Sequence, residues 1–264
     1  MGEDRNKEEI YHNFRTLVMK AERESPLLSN LGIGLSFSSK FTSLEIMQKI
    51  TREKAEELFE SYKEEKSKPS VFSEDLNRYS NECIAFFEAY LNAFYSLLQI
   101  IGKVTSYFFN SDELKKNVLD SDFGTQVNYF KEHPKTDYEY SRYLANMSWY
   151  KELILNRHAI THNASAFLGF GKDEVVFIHM PKRRIDYFEN GKPLKKLVEY
   201  ISANWNSLFD FLNFYVNHFS NREIFVNKEK EMETVRQLVS KGTQQTTNNA
   251  KQRSRHGLES LNLF

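Results

Sequence analysis

The residues between Arg157 and His162 combine an arginine with two histidines in a very short stretch of chain. His158 and His162 are four positions apart, a spacing that puts both on one face of a helix, as in many metal sites. A metal centre would need a third ligand such as Glu88 or His179, and nothing in the spacing supplies one. The stretch holds no His-Glu-x-x-His and no carboxylate. We therefore expect neither a metal ion nor another cofactor.

The same residues also have ordinary structural interpretations. Arg157 could form a salt bridge or bond the carbonyls at a helix end, and His162 could be a satisfied core histidine or a cap. Positions five apart on an ideal helix differ by about 140° around the axis. Arg157 and His162 therefore converge only if the stretch straddles a helix terminus or if a partner protomer supplies one of them.

The order Arg157, polar His158, three further residues and His162 resembles the active-site motif of the HEPN ribonuclease superfamily, whose second position is commonly Asn, Asp or His. A long helical pattern precedes the motif, and a short hairpin and a closing helix follow it, which is similar to the order of the HEPN core. The resemblance covers roughly residues 74–220. It implies a mainly α fold, a HEPN-like helical bundle, in a bacterial HEPN-domain protein of uncharacterised subfamily.

The resemblance implies a metal-independent endoribonuclease that works as a homodimer, with single-stranded RNA between two facing motifs. Arg157 would hold the scissile phosphate, and His162 would move the proton of the ribose 2′-hydroxyl. The products would be a 2′,3′-cyclic phosphate and a 5′-hydroxyl. His158 would orient the pair or contact phosphate. Many members carry an acid on the earlier long helix, which Glu88 or Glu82 could provide.

Members of the superfamily act as toxins or antiphage effectors, so an antitoxin protein would be a further partner if this chain is a toxin. The alternative is a catalytically silent HEPN-like module that binds RNA, nucleotide or a protein partner. RNA cleavage that depends on Arg157 and His162 separates these two functions. Bound metal and activity lost to chelators would instead indicate a metalloenzyme that uses His158 and His162.

Composition limits the compartment and the mode of RNA binding. Lys and Arg number 36 and Asp and Glu also number 36, so any RNA contact must come from local basic patches. The single cysteine, Cys83, excludes an internal disulfide, and the charged first residues lack the apolar core of a secretory signal. The most apolar stretch, Cys83–Ile101, is interrupted by Glu88, Asn92 and Gln99 and indicates a core helix. We expect a cytoplasmic protein without a membrane partner.

Apolar periodicity predicts most helices. It favours a helix over residues 7–23 that Ser25-Pro26 ends, a Gly- and Ser-rich loop over 29–42, and an exposed helix over 43–66. The pattern over 74–109 predicts the longest helix. Two later patterns predict a helix from Tyr140 to Ile154 and a closing helix from Leu197 to Phe219.

Two short strands are predicted between these last helices, at Glu174–His179 and Arg184–Glu189. They would form a β-hairpin whose tip carries Lys182, Arg183 and Arg184, a weak candidate for contact with the RNA backbone. Such runs are as often solvated surface. Lys192, Lys195 and Lys196 follow this cluster.

We divide the chain into three parts. Residues 1–70 form an N-terminal helical extension, residues 71–225 the HEPN-like bundle, and residues 226–264 a C-terminal helix remnant with a mobile polar tail.

Overall fold

The computed structural model describes residues 2–66, 74–111, 114, 123–162, 167–178 and 195–241, with only the backbone at 2–5, 159–162, 167 and 178. Its helices are α1 (Gly2–Glu24), α2 (Pro26–Asn30), α3 (Ile33–Lys66), α4 (Glu74–Thr105, continued by a 3-10 turn, Ser106–Phe108), α5 (Phe123–Glu132), α6 (Tyr138–Ala145), α7 (Ser148–His162), α8 (Leu197–Phe219) and α9 (residues 228–241). Its strands are β1 (Phe167–Phe170), β2 (Val175–Ile178) and β3 (Lys195–Lys196). The mainly helical fold with a short hairpin is confirmed.

Helix α4 lies at the centre of the bundle. The antiparallel helix α3 runs along it, and the Thr51 hydroxyl of α3 donates to the carbonyl of Phe86 on α4 at 3.0 Å. On another side, the Tyr90 hydroxyl of α4 donates to the carbonyl of Ile201 on α8 at 3.4 Å. Residues Glu74–Phe108 form the one stretch of the described chain that could cross a membrane by length and composition. Its buried face forms the centre of the core, as predicted for a core helix.

The N-terminal helices share this core. Phe14 of α1 packs against Tyr215 of α8, with 4.9 Å between ring centroids, and Phe41 of α3 packs against Trp205 at 5.7 Å. The buried apolar residues of α1, α3, α4 and α8 belong to one cluster. The division at residue 70 remains a prediction, and it falls outside the described residues.

The loop predicted over residues 29–42 is wrong, because α3 begins at Ile33. Ile33, Phe37 and Phe41 are buried and follow helical spacing among the glycines and serines. A Cβ at Gly34 would lie 2.4 Å from the Met19 sulfur on α1, so α3 approaches α1 closely here and a larger residue would displace the Met19 side chain. Burial of the aromatic residues against α1 therefore overrides the loop-forming composition.

The helix predicted from Tyr140 to Ile154 is two helices. Helix α6 ends at Ala145, and α7 begins at Ser148. Between them the Met147 N–H donates to the carbonyl of Leu144 at 3.2 Å. This bond spans three residues, as in a 3-10 turn, and not four, as in an α-helix. The apolar stripe continues across this break, which is why periodicity alone does not show it.

A hairpin lies before α8 as predicted, but only one of its two strands is a predicted strand. Strand β2 matches the first predicted strand, and its hairpin partner is β1, paired antiparallel with Phe170 opposite Val175. Strand β3 pairs with the other edge of β2. The second predicted strand, Arg184–Glu189, and the basic tip lie outside the described residues.

A buried carboxylate attaches the C-terminal helix α9 to the N-terminal helices. Glu231 is 8% exposed, and one of its oxygens accepts from the Ser25 hydroxyl at 2.6 Å and from the Leu27 N–H at 3.2 Å. The Ser25 hydroxyl in turn accepts from the Leu28 N–H. These bonds satisfy the first N–H groups of α2.

Replacing Glu231 with alanine should lower the free energy of unfolding by about 1–3 kcal/mol, because it leaves the Ser25 hydroxyl and the Leu27 N–H buried without an acceptor. Urea unfolding followed by circular dichroism measures the loss. The matched control is Glu229→Ala, an exposed glutamate of the same helix. Equal stability of the two variants would show that this attachment does not stabilise the fold.

A second buried carboxylate joins the start of α6 to the end of α8. Asp137 accepts from the Tyr140 N–H at 3.0 Å, and its other oxygen lies 2.8 Å from His218 Nε2 and 2.6 Å from Arg222 Nη2. Burial alone would raise the pKa of Asp137, but the bonds from Tyr140 and His218 and the charge of Arg222 outweigh it and lower the pKa.

Replacing Asp137 with asparagine should destabilise the protein by about 1.5–3 kcal/mol at neutral pH. Because the pKa of Asp137 is lower in the folded than in the unfolded chain, its stabilisation is present above the ordinary value of 3.8 and is lost as pH falls below it. The difference in unfolding free energy between wild type and variant should therefore shrink at about pH 2.5. Asp173→Asn, in the exposed hairpin turn, serves as control; a gap independent of pH would contradict the assignment.

Candidate active site on helix α7

The residue before Arg157 fixes helix α7 to α8. Asn156 is buried, and its Nδ2 donates to the Tyr200 hydroxyl at 2.9 Å. Burial raises the pKa of Tyr200, and the bond from Asn156 offsets only part of this rise, so the hydroxyl stays neutral. This bond fixes the rotation of α7 about its axis at the residue directly before the motif.

Two side chains of α4 hold Arg157. Its Nε donates to Oδ1 of Asn92 at 3.2 Å, and its guanidinium carbon lies 3.9 Å from the centroid of the Tyr95 ring. Arg157 is half-buried, and among the described residues it forms no ion pair with a carboxylate. Stacking on an aromatic face and one bond at Nε fix the plane of the guanidinium. This arrangement suits recognition of a phosphate by the outer nitrogens.

The two histidines of the motif lie at the end of the same helix. His158 is exposed, next to Leu155, which is 50% exposed. His162 is the last residue of α7, where only the backbone is described. Because α7 continues through the whole motif, positions 157 and 162 lie about 140° apart around its axis. The helix therefore does not end between Arg157 and His162.

The acidic candidates are not joined to Arg157 in the described part of the chain. Glu88 lies on α4 one turn before Asn92 and is half-buried, and no ion pair connects it with Arg157. Glu82 pairs with Lys54 at 3.1 Å. The role of Glu88 remains a prediction. The structure instead places Asn92 beside Arg157, a residue that sequence reasoning noted only as a polar interruption of the apolar stripe.

The basic candidates divide into two groups. Lys182, Arg183 and Arg184 lie outside the described residues. Lys195 pairs with Glu152 of α7, and Lys196 lies 2.5 Å from Glu174 and 2.9 Å from Glu199. The bond to Glu174 and then the bond to Glu199 raise the pKa of Lys196. These two lysines therefore join the sheet to α7 and α8, and their charges are largely balanced.

A metal centre finds no further support. Among the side chains that the structure describes, no three His, Cys, Asp or Glu residues lie close enough to hold a metal ion. Of the ligands considered from the sequence, His158 and Glu88 are described with their side chains, whereas His162 is described only in its backbone and His179 lies outside. The metalloenzyme remains a hypothesis to be tested with chelators.

Comparison of the chain with known protein families, with curated proteins and with solved structures found no match.

A double-mutant cycle tests the contact that holds Arg157. Arg157→Ala and Tyr95→Leu, alone and together, should give a coupling energy of about 0.5–1 kcal/mol, because the guanidinium stacks closely on a partly desolvated ring. Urea unfolding supplies the four free energies. The reference is the cycle between the exposed Arg78 and the half-buried Tyr79 on α4, a looser cation-π pair at 5.2 Å. A coupling no larger than that of this pair would contradict the described placement.

Proposed function

We propose that this protein is a metal-independent endoribonuclease of the HEPN type, with Arg157 and His162 as its catalytic residues. The observation that carries the proposal is the way Arg157 is held. A half-buried arginine without a described carboxylate partner, stacked on Tyr95 and bonded through Nε to Asn92, is arranged to receive an anion. His162 follows on the same helix, at its end.

In the proposed reaction the imidazole of His162 accepts the proton of a ribose 2′-hydroxyl. The 2′-oxygen attacks the adjacent phosphorus, and Arg157 stabilises the negative charge that develops on the phosphoryl oxygens. The bond from phosphorus to the 5′-oxygen breaks, and that oxygen takes a proton from water and leaves as a hydroxyl. The products are a 2′,3′-cyclic phosphate and a 5′-hydroxyl. His158 orients the pair or contacts phosphate.

The proposed active unit is a homodimer. Because α7 is helical through the motif, positions 157 and 162 of one chain lie about 140° apart around the helix axis. A site that combines Arg157 of one protomer with His162 of the other removes this difficulty. Exposed Leu155 and His158 give α7 an outer surface that a second protomer can cover.

The superfamily resemblance suggests the biological setting. We propose a cytoplasmic toxin or antiphage effector that acts on cellular RNA, with an antitoxin protein as its partner if it is a toxin. The packing of the apolar face of α4 in the core supports a protein without a membrane partner.

A second candidate is a catalytically silent module that binds RNA, nucleotide or a protein. The contacts of Arg157 with Asn92 and Tyr95 favour this second function, because they join α7 to α4 and give Arg157 a structural role. In that protein Arg157 would be a structural residue, and its removal would change stability but no reaction.

Purified wild type, Arg157→Ala and His162→Ala should be incubated with total RNA in excess chelator, and the new ends analysed. Wild type should produce 2′,3′-cyclic phosphates. His162→Ala should lose about 10²–10⁴-fold in rate, the range for removal of a general acid-base group, and Arg157→Ala about 10²–10³-fold, the range for removal of a donor that stabilises the transition-state charge.

The controls are His133→Ala and Arg78→Ala, an exposed histidine and an exposed arginine away from α7. Both should cleave like wild type. Cleavage lost to the chelator would favour the metalloenzyme, and absence of cleavage over many RNAs would favour the silent module.

A further inference from the structure

The side-chain amide of Asn92 presents an unpaired nitrogen beside the guanidinium of Arg157. Arginine carries only donors, so Oδ1 of Asn92 must face Nε of Arg157, which lies 3.2 Å away. The Nδ2 atom of the same amide therefore faces elsewhere, and within the described chain no acceptor takes it. Asn92 is only half-buried, and its Nδ2 keeps surface that a ligand can reach.

The outer nitrogens of Arg157 are unpaired as well. Nε is its one nitrogen with an acceptor among the described residues, so the N–H groups of Nη1 and Nη2 remain available. Two carboxylates of the same helices pair with lysines instead. Glu152 of α7 pairs with Lys195, and Glu82 of α4 pairs with Lys54. A cationic donor and a neutral donor therefore lie side by side, joined by one hydrogen bond.

The absence of charge on Asn92 is important for this arrangement. A carboxylate at the same position would form an ion pair with the guanidinium and would repel a second anion. The amide oxygen orients the guanidinium and leaves its positive charge uncompensated. The Tyr95 ring, 3.9 Å from the guanidinium carbon, also orients it without adding a negative charge. Both contacts therefore position a cation that remains able to bind an anion.

We propose that Asn92 is a second phosphate ligand of the site: Oδ1 positions Arg157, and Nδ2 donates to the phosphoryl group that Arg157 holds. The proposal rests on the ribonuclease function, because it takes the phosphate from the RNA strand that is cleaved. Hydrogen bonds to a charged acceptor are stronger than neutral ones, so the amide contributes to binding and to stabilisation of the transition state. Asn92 and Arg157 belong to one chain, so each protomer carries an assembled phosphate-binding half of the site.

Two substitutions separate the acceptor and the donor of the amide. Asn92→Asp keeps an acceptor for Arg157 but removes the donor and adds a negative charge, whereas Asn92→Ala removes both. Asn81→Asp is the matched control, because Asn81 is an exposed asparagine of the same helix. The probe is a labelled 2′-O-methyl oligouridylate, which lacks the attacking hydroxyl. Fluorescence anisotropy measures its binding.

Affinity for the strand should fall from wild type to Asn92→Ala and further to Asn92→Asp. Asn92→Ala should lose about tenfold, the effect of one hydrogen bond to a charged group. Asn92→Asp should lose more because its carboxylate also neutralises Arg157, yet urea unfolding should find it at least as stable as wild type. A purely structural role of Asn92 predicts instead that aspartate restores binding together with stability. Asn81→Asp should bind like wild type.

The salt dependence of binding gives a second readout. Each phosphate contact by a cation contributes about 0.7 to the slope of log affinity against log salt for a single strand. Asn92→Asp and Arg157→Ala should both lower this slope by about 0.7, because each removes one net positive charge. Asn92→Ala should keep the wild-type slope, because it removes no charge.

Equal binding of wild type and Asn92→Asp would overturn the proposal, because the donor would then be dispensable. If Arg157→Ala still weakens binding in that case, the ribonuclease proposal is unaffected. The expected order of affinities in a wild type that cleaves no RNA would support the phosphate site and contradict the ribonuclease. If Arg157→Ala binds the strand as tightly as wild type, Arg157 holds no phosphate and both proposals fail.

Discussion

Helix α4 has 32 residues, and its apolar side chains occupy most of its circumference. Most of its surface must therefore be buried against other elements and shielded from water. Every layer of the fold follows from covering it. Helix α3 runs antiparallel along one side, α8 closes another, and β2 places Phe177 against Phe87 with 5.2 Å between rings. The N-terminal helices then cover α3 and α8. Burial of α4 is therefore the constraint that fixes the relative positions of α3, α7 and α8.

The candidate site depends on the same helix, because α4 also supplies the side chains that hold α7. Asn92 and Tyr95 contact Arg157, and Phe94 between them packs on Trp149. The sequence predicted Arg157 from its motif but not these contacts, since which residues of α4 face α7 depends on the rotation of both helices. Asn92 was noted only as one of three polar residues that interrupt an otherwise apolar stretch.

The fold was predictable where apolar residues repeat without interruption. The helices over α1, α4 and α8 and the strand at Val175–Ile178 follow from periodicity alone. Prediction failed at residues 29–42, because contacts with α1 and not local composition make this segment helical. It failed again between α6 and α7. Asn146 caps the end of α6 and Ser148 begins α7, but the apolar stripe continues across this break. Strand β1 was missed because its four residues carry too little pattern to separate them from the preceding helix.

The central claim is that Arg157 and His162 of α7 act together on RNA across a dimer. The most direct test is to mix the inactive variants Arg157→Ala and His162→Ala, allow their subunits to exchange, and measure RNA cleavage. A mixed dimer has one site in which both residues are intact, so the account predicts that cleavage returns to a substantial fraction of the wild-type rate. If wild type cleaves RNA but the mixture stays as inactive as its components after exchange, the two residues do not act across a dimer, and the account is contradicted.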